Sequence, residues 1–279
     1  MPDILLHLLP HVVSSLLYAA LGIHFWHTRW REKERSLVTL PMQPWERAAI
    51  VVALLIQGFG LYQGVFGGSG MRFSFSYALS LMLWLAVLIY WLESFRSRMD
   101  GLQPMVLPLA AAGAAAPAIF PQLRVIGHAG GLGFLVHFLT AMLAYSLFTL
   151  SALHAVFMGF AERKLHQRSM THSLSSLPPI LTMEALLFRM ITVAFCLLTV
   201  ALVSGVWFSE EIFGKAAALD HKTLFAFASW GIFAALLVGR RVYGWRGRIA
   251  LRWTLAGFMV LLLAYIGSRF VAEVVLGRL

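Results

Sequence analysis

The chain has 279 residues, of which 60% are hydrophobic and only 12% charged, with a formal net charge of +10 and a mean hydropathy of +0.80. A water-soluble domain of this length needs far more polar surface to cover its core, so the composition excludes one. The basic residues occur in short clusters between apolar runs, which is a membrane-topology pattern and speaks against a nucleic-acid partner. Cys196 is the only cysteine, which excludes an intramolecular disulfide, a CxxC redox pair and a CxxCH attachment motif.

Eight stretches are long and apolar enough to cross about 30 Å of hydrocarbon, which takes about 20 helical residues. They are expected near 4–26, 48–66, 73–92, 102–120, 133–159, 190–208, 223–239 and 252–275. The first starts at Ile4 with no basic stretch before it, and it is too long for the apolar part of a cleavable leader. The fourth, with LPLAAAGAAAPAIF, carries Pro104, Pro108 and Pro117 among many alanines, which predicts a kinked, closely packed helix. Sixteen of the 22 Lys and Arg fall in the loops 1–2, 3–4, 5–6 and 7–8, and the alternate loops are nearly free of positive charge. The positive-inside rule then places both termini outside and the four basic loops in the cytoplasm. The expected fold is all-α: one polytopic membrane domain of eight transmembrane helices, with a four-helix N-terminal half over 1–128 and a second half over 129–279. The longest cytoplasmic loop, between the fifth and sixth helices, holds KLHQRSMTHSLSSLPP and reads as an exposed segment.

Ten histidines carry the richest chemistry. Topology puts His7, His11, His128, His137 and His221 towards the outside, and His24, His27, His154, His166 and His172 towards the cytoplasm. His137 stands about one turn into the fifth helix, where a polar ring is costly unless it is hydrogen-bonded or liganded. Its helical face continues through the small Ala141 and Ala144 to Phe148, room for another helix or a flat cofactor, and Tyr145 follows two turns on. A bond to a neighbouring helix explains His137 equally well. His7 and His11 share a helix face, but Pro10 lies between them and no acid or thiol joins them, so they read as interfacial histidines. His24 and His27, beside Trp26 and Trp30, read as an interfacial belt. Arg269 and Glu273 are spaced to pair in the last helix, and Glu93 falls at a helix end. Mid-bilayer carboxylates are missing, which speaks against an ion-coupled or divalent-cation transporter. Soluble-enzyme motifs such as GxxxxGK[ST], HExxH and GxSxG are absent from the sequence, as is a metal-binding cysteine spacing.

The stretches LVHFLTAMLAYSLFTLSALHAVFMGFAERKL, SGVWFSEEIFG, FASWGIFAALLVGRRVYGWRGRIALRW and AGFMVLLLAYIGSRF follow one another over about residues 130–275. In that order they resemble the membrane core of the cytochrome c assembly (CcsA) superfamily, on its HemX/YpjD-like branch, whose members are multi-pass bacterial inner-membrane proteins. The resemblance implies that an outer-side histidine with a downstream tyrosine faces haem, and His137 and Tyr145 stand there. It implies a tryptophan-rich haem platform ending in a WDPKE-like stretch. Here Asp220 and Lys222 remain, Trp207 and Trp230 flank the loop, its interior tryptophans are replaced, and His221 takes the place of the proline. Relatives that handle haem carry a transmembrane histidine where this chain has Arg240 and Arg241. Arg246 and Arg248 beside Trp245 suit an anionic headgroup layer.

The expectation is a non-enzymatic accessory protein of cytochrome c assembly that presents or senses haem on the outer face. The candidate haem-facing residues are His137, Tyr145, His221, Asp220, Trp207 and Trp230, with His128 as a further histidine on that side. Its expected partners are the lipid bilayer, haem and other assembly proteins. The alternatives are a HemX-like regulator or assembly partner without bound haem, and a transporter of a small solute or divalent cation. Asp220 also suits the start of the seventh helix, where a carboxylate caps free N–H groups without any cofactor.

Overall fold

A computed structural model describes residues 2–31, 42–67, 72–96, 101–121, 124–125, 132–167, 180–207 and 221–271. The apolar runs become eight helices: α1 (Pro2–Phe25), α2 (Pro44–Phe66), α3 (Phe75–Glu93), α4 (Gln103–Ile119), α5 (Leu132–Gln167), α6 (Ile180–Trp207), α7 (His221–Val242) and α8 (Gly247–Leu262). Helix α1 runs on as a π-helical turn, Trp26–Arg31, and α8 as another, Leu263–Gly267, followed by a last turn, Ser268–Phe270. Six of them, α1 to α3 and α5 to α7, are long and apolar enough to cross a membrane. Helix α4 is apolar but has 17 residues, about 25 Å of rise. Helix α8 changes winding after 16.

Prolines and acids set several helix starts. Pro44 opens α2, where its missing N–H is no loss, and the Glu46 carboxylate accepts the Gln43 backbone N–H at 2.6 Å. Helix α4 runs uninterrupted through Pro108 and Pro117. The expected close packing is there: Pro108 lies on α1, so near Gly22 that a Cβ would come within 3.0 Å of its ring, and Ser15 Oγ donates to the Ala111 carbonyl at 2.9 Å.

Helices α5 and α6 reach further than their apolar runs. Helix α5 has 36 residues, about 54 Å of rise against about 30 Å of hydrocarbon. KLHQ is therefore helical rather than loop, and the connection shrinks to 168–179, outside the described residues. Polar residues end a hydropathy run without ending a helix.

One hydrophobic core joins α1, α2, α3 and α4 around Tyr18, Phe25, Ile50, Tyr90 and Leu107. A second joins α5 to α8 around Phe148 and Phe233, stacked at 3.9 Å between ring centroids. Helix α3 packs on both α4 and α5 and links them. A smaller cluster, with Leu61, Phe73, Tyr77 and Met142, lies where β1 (Arg72–Phe73) pairs antiparallel with β2 (Arg124–Val125), Arg72 opposite Val125.

Each ion pair between described residues lies at one end of the bundle, where α1, α3, α5 and α7 finish. Glu46, 2% exposed, takes Arg29 at 2.9 Å and His24 Nε2 at 2.9 Å. Glu93 takes Arg189, Glu162 takes Arg248 at 3.0 Å, and the buried Glu184 takes Arg240, with Arg246 at 3.7 Å. Arg240 also lies over the Phe188 ring at 4.6 Å and donates to the Trp245 carbonyl at 3.4 Å. The turn that delivers Trp245 and Arg246 is bracketed by Gly244 and Gly247, with φ of +65° and +54°, a region that side-chain-bearing residues avoid. Arg240 is therefore a buried-carboxylate partner, and Arg248 an ion-pair partner rather than a bare lipid contact.

Candidate functional site

Helix α5 places His137 in its second turn, facing α6. The ring Nδ1 lies 2.9 Å from the Ala201 carbonyl, so Nδ1–H donates and the neutral ring's basic nitrogen is Nε2. Ser204 Oγ stands 3.5 Å from the same Nδ1, and its own proton goes back to the Ala201 carbonyl at 3.1 Å. The ring lies on Gly205 of the SGVW stretch: a Cβ there would come 2.9 Å from Cε1 and 3.1 Å from Nδ1. Glycine is what lets imidazole and backbone approach this closely.

A shallow groove of about 320 Å³ runs along α6 beside this contact, lined by Thr199, Val200, Val203, Ser204 and Trp207. Trp207 is 80% exposed. At the groove's inner end Trp230 of α7 donates its indole N–H to Thr199 Oγ1 at 2.9 Å and stacks on Phe195. The α7 residues beyond Trp230, Leu224 and Phe227, are exposed.

Three of the six candidates, His137, Trp207 and Trp230, thus gather along the C-terminal half of α6. Tyr145 turns elsewhere: its hydroxyl donates to the Leu261 carbonyl of α8 at 3.0 Å, just before the π turn, where displaced carbonyls need other donors. The expected open face after His137 is filled too, because Ala144 and Phe148 are buried and Phe148 carries the Phe233 ring. His221 is exposed and is the first residue of α7. Asp220, His128, His172 and Glu273 lie outside the described residues, as do the side chains of His7, His166 and Arg269.

Sequence reasoning missed three features. His154, buried on α5, donates through Nε2 to the Met183 carbonyl at 3.0 Å, the same tie that His137 makes. The two ties stand at matching intervals on α5 and α6 and hold one antiparallel register. The buried Glu46 and Glu184 were also missed. Glu184 was assigned to a loop because the hydropathy run starts after it, and the only signal was its fourfold spacing to Phe188, ahead of the apolar run. No group of three His, Cys, Asp or Glu suited to a metal ion occurs among the described residues.

Fold and site together define a polytopic α-helical membrane protein in which His137 of α5 is bonded to the backbone of α6. The model of the family described as cytochrome C assembly protein matches residues 45–276, and the chain belongs to that family, on its YpjD-like branch. It is 26% identical to the inner membrane protein YpjD of Escherichia coli K12, over 83% of this chain and 89% of that one. An uncharacterized 28.8 kDa protein of Azospirillum brasilense is 31% identical over 63% of this chain and 66% of its own length. The cytochrome c biogenesis protein CcsA of Prochlorococcus marinus MIT 9215 is 38% identical over 32% of this chain and 28% of its own. No solved structure matches. The chain is a multi-pass bacterial inner-membrane protein.

Proposed function

We propose that the protein takes part in cytochrome c biogenesis as a haem-associated accessory that presents or senses haem at the outer face and is not itself an enzyme. The observation that carries this reading is the His137 arrangement: Nδ1–H fixed on the Ala201 carbonyl, which makes Nε2 the coordinating nitrogen, beside an apolar groove ending in an exposed tryptophan. These residues fit haem as far as one axial nitrogen and one ring-stacking wall. His137 would hold the iron and Trp207 would lie against the porphyrin, with His221, at the start of α7, as the candidate second histidine. Iron coordination is the chemistry haem supplies. The chain orients the imidazole, excludes water with Val200 and Val203, and leaves the groove open to the bilayer. Trp230 supports the groove from below. Tyr145 belongs to α8 packing and drops to a supporting position.

The test is absorption spectroscopy of the purified full chain titrated with haemin. A Soret band that is lost in His137→Ala and weakened in His221→Ala is expected. A preparation that neither carries nor takes up haemin overturns the reading.

The twin tie at His154 favours a second reading, because it shows in the same helix that a histidine here serves helix packing alone. In that case the protein acts as a regulator or assembly partner without haem, through its basic cytoplasmic end. Capture of a membrane partner that depends on residues 168–179, by a chain that binds no haemin, would select it.

We also infer eight spans in one membrane domain, both termini outside, with halves at 1–128 and 129–279. The gathering of the ion pairs at the end holding the basic clusters supports that orientation.

A further inference from the structure

Helix α1 buries His11 completely, and neither ring nitrogen has a hydrogen-bond partner. Its Cε1–Nε2 edge lies on the backbone of Gly60 in α2, where a Cβ would come 3.2 and 3.3 Å from those atoms. Tyr77 of α3 meets the imidazole edge-on, with ring centroids 5.6 Å apart and planes at 87°, and lays its phenol over Gly64. The stretch GLYQG at 60–64 is therefore a small-xxx-small stripe that seats two rings where such stripes elsewhere seat a second backbone.

Nearly one turn back along α2, Gln57 is also fully buried. Its amide N–H donates to the Ser80 carbonyl at 3.3 Å and to Ser80 Oγ at 3.0 Å, while its Oε1 has no partner. The backbone seat of His11 and that of Gln57 are about one helical pitch apart, roughly 5 Å. Two orphaned groups from different helices thus lie about one turn apart along α2 inside an apolar bundle, where each is costly on its own.

Their chemistry limits what satisfies both. Neutral imidazole offers one N–H and one lone pair, and Gln57 Oε1 only accepts. A single ligand that bridges them must donate twice, once to the imidazole lone pair and once to Gln57 Oε1, and fit between packed helices. The ring N–H points from the other edge and is not part of the bridge. A metal ion would find one ring nitrogen and one amide oxygen, a poor set, and no group of three His, Cys, Asp or Glu suited to a metal ion occurs among the described residues. Water meets each requirement. We propose that His11 and Gln57 hold a buried water between α1, α2 and α3, donating to His11 and to Gln57 Oε1. Through it the α1 histidine joins the Gln57–Ser80 pair in one network. The site stands in the N-terminal half and is separate from His137.

A double-mutant cycle on the full chain in detergent tests it. The single variants His11→Phe and Gln57→Leu should each lower the unfolding midpoint by about 3 °C. The double variant should fall no further than either single, because the second change removes a group already stripped of its water. Shifts that add in the double variant, or singles that raise the midpoint, overturn the proposal. Radiolytic hydroxyl labelling of the unaltered protein gives a readout independent of variant folding. Bound water should oxidise His11 well above the equally buried Tyr90, and labelling at the level of Tyr90 overturns the site.

Discussion

At the scale of single residues, two contacts make sharp predictions. A methyl group on Gly205 would meet the His137 ring at 2.9 Å, so Gly205→Ala must move the imidazole off the Ala201 carbonyl. The strain is about 1–3 kcal/mol. Haemin titration should show roughly tenfold weaker uptake, with the helical circular dichroism unchanged. Glu184 presents the second case. It is 5% exposed and holds Arg240, and loss of one partner from a buried ion pair costs about 3–5 kcal/mol. Glu184→Ala should therefore lower the thermal midpoint markedly, and Glu184→Ala with Arg240→Met should recover much of it. His137 was legible in the sequence as a costly polar ring inside a span. Its partner was not, because a backbone carbonyl about six helical turns into another helix leaves no mark on residue type. Arg240 and Glu184 were illegible for a related reason: they are far apart in sequence, and hydropathy treats a charge near a span end as loop.

At the scale of helices, α5 and α6 are joined by two histidine-to-carbonyl bonds, His137 to Ala201 and His154 to Met183. Interhelical bonds of this kind contribute about 0.6–1.7 kcal/mol each. The two positions are about 25 Å apart along α5, too far to couple. His137→Ala and His154→Ala should thus lower the midpoint independently and additively, and only the first should change the haemin spectrum. The helices themselves were legible as apolar runs, and their order and number agree with the structure, six of the eight being long and apolar enough to span a membrane. Their ends were not, since α5 continues through the charged AERKLHQ and α6 begins before MEALLFR. Side-chain ion pairs at those ends, Glu162 with Arg248 and Glu184 with Arg240, let the helix outlast its apolar run. The π turns at Trp26–Arg31 and Leu263–Gly267 were equally hidden, because winding changes are set by partners such as Tyr145 on another helix.

For the whole molecule, the prediction is topological. A fluorescent protein that matures only in the cytoplasm, inserted at 97–100 or within 168–179, should fluoresce in cells. The same insertion at 68–70 or within 208–220 should stay dark. The reverse pattern would turn the bundle over and put the His137 groove on the cytoplasmic side. Orientation was read from charge alone, and the ion pairs gather at that same end because helix ends carrying arginine also need the buried acids that neutralise it. Of the residues the resemblance implies for a haem platform, Trp207 lines the groove, Trp230 supports it, and Asp220 lies outside the described residues.

The groove on α6 is walled by residues that face outward from the bundle, Val200, Val203 and Trp207 among them. An amphipathic ligand therefore meets it sideways, already dissolved in lipid. Occupancy then follows the ligand's mole fraction in the bilayer rather than its aqueous concentration. Adding empty vesicles at constant protein and constant total haemin should strip the site by surface dilution, even though the water phase hardly changes.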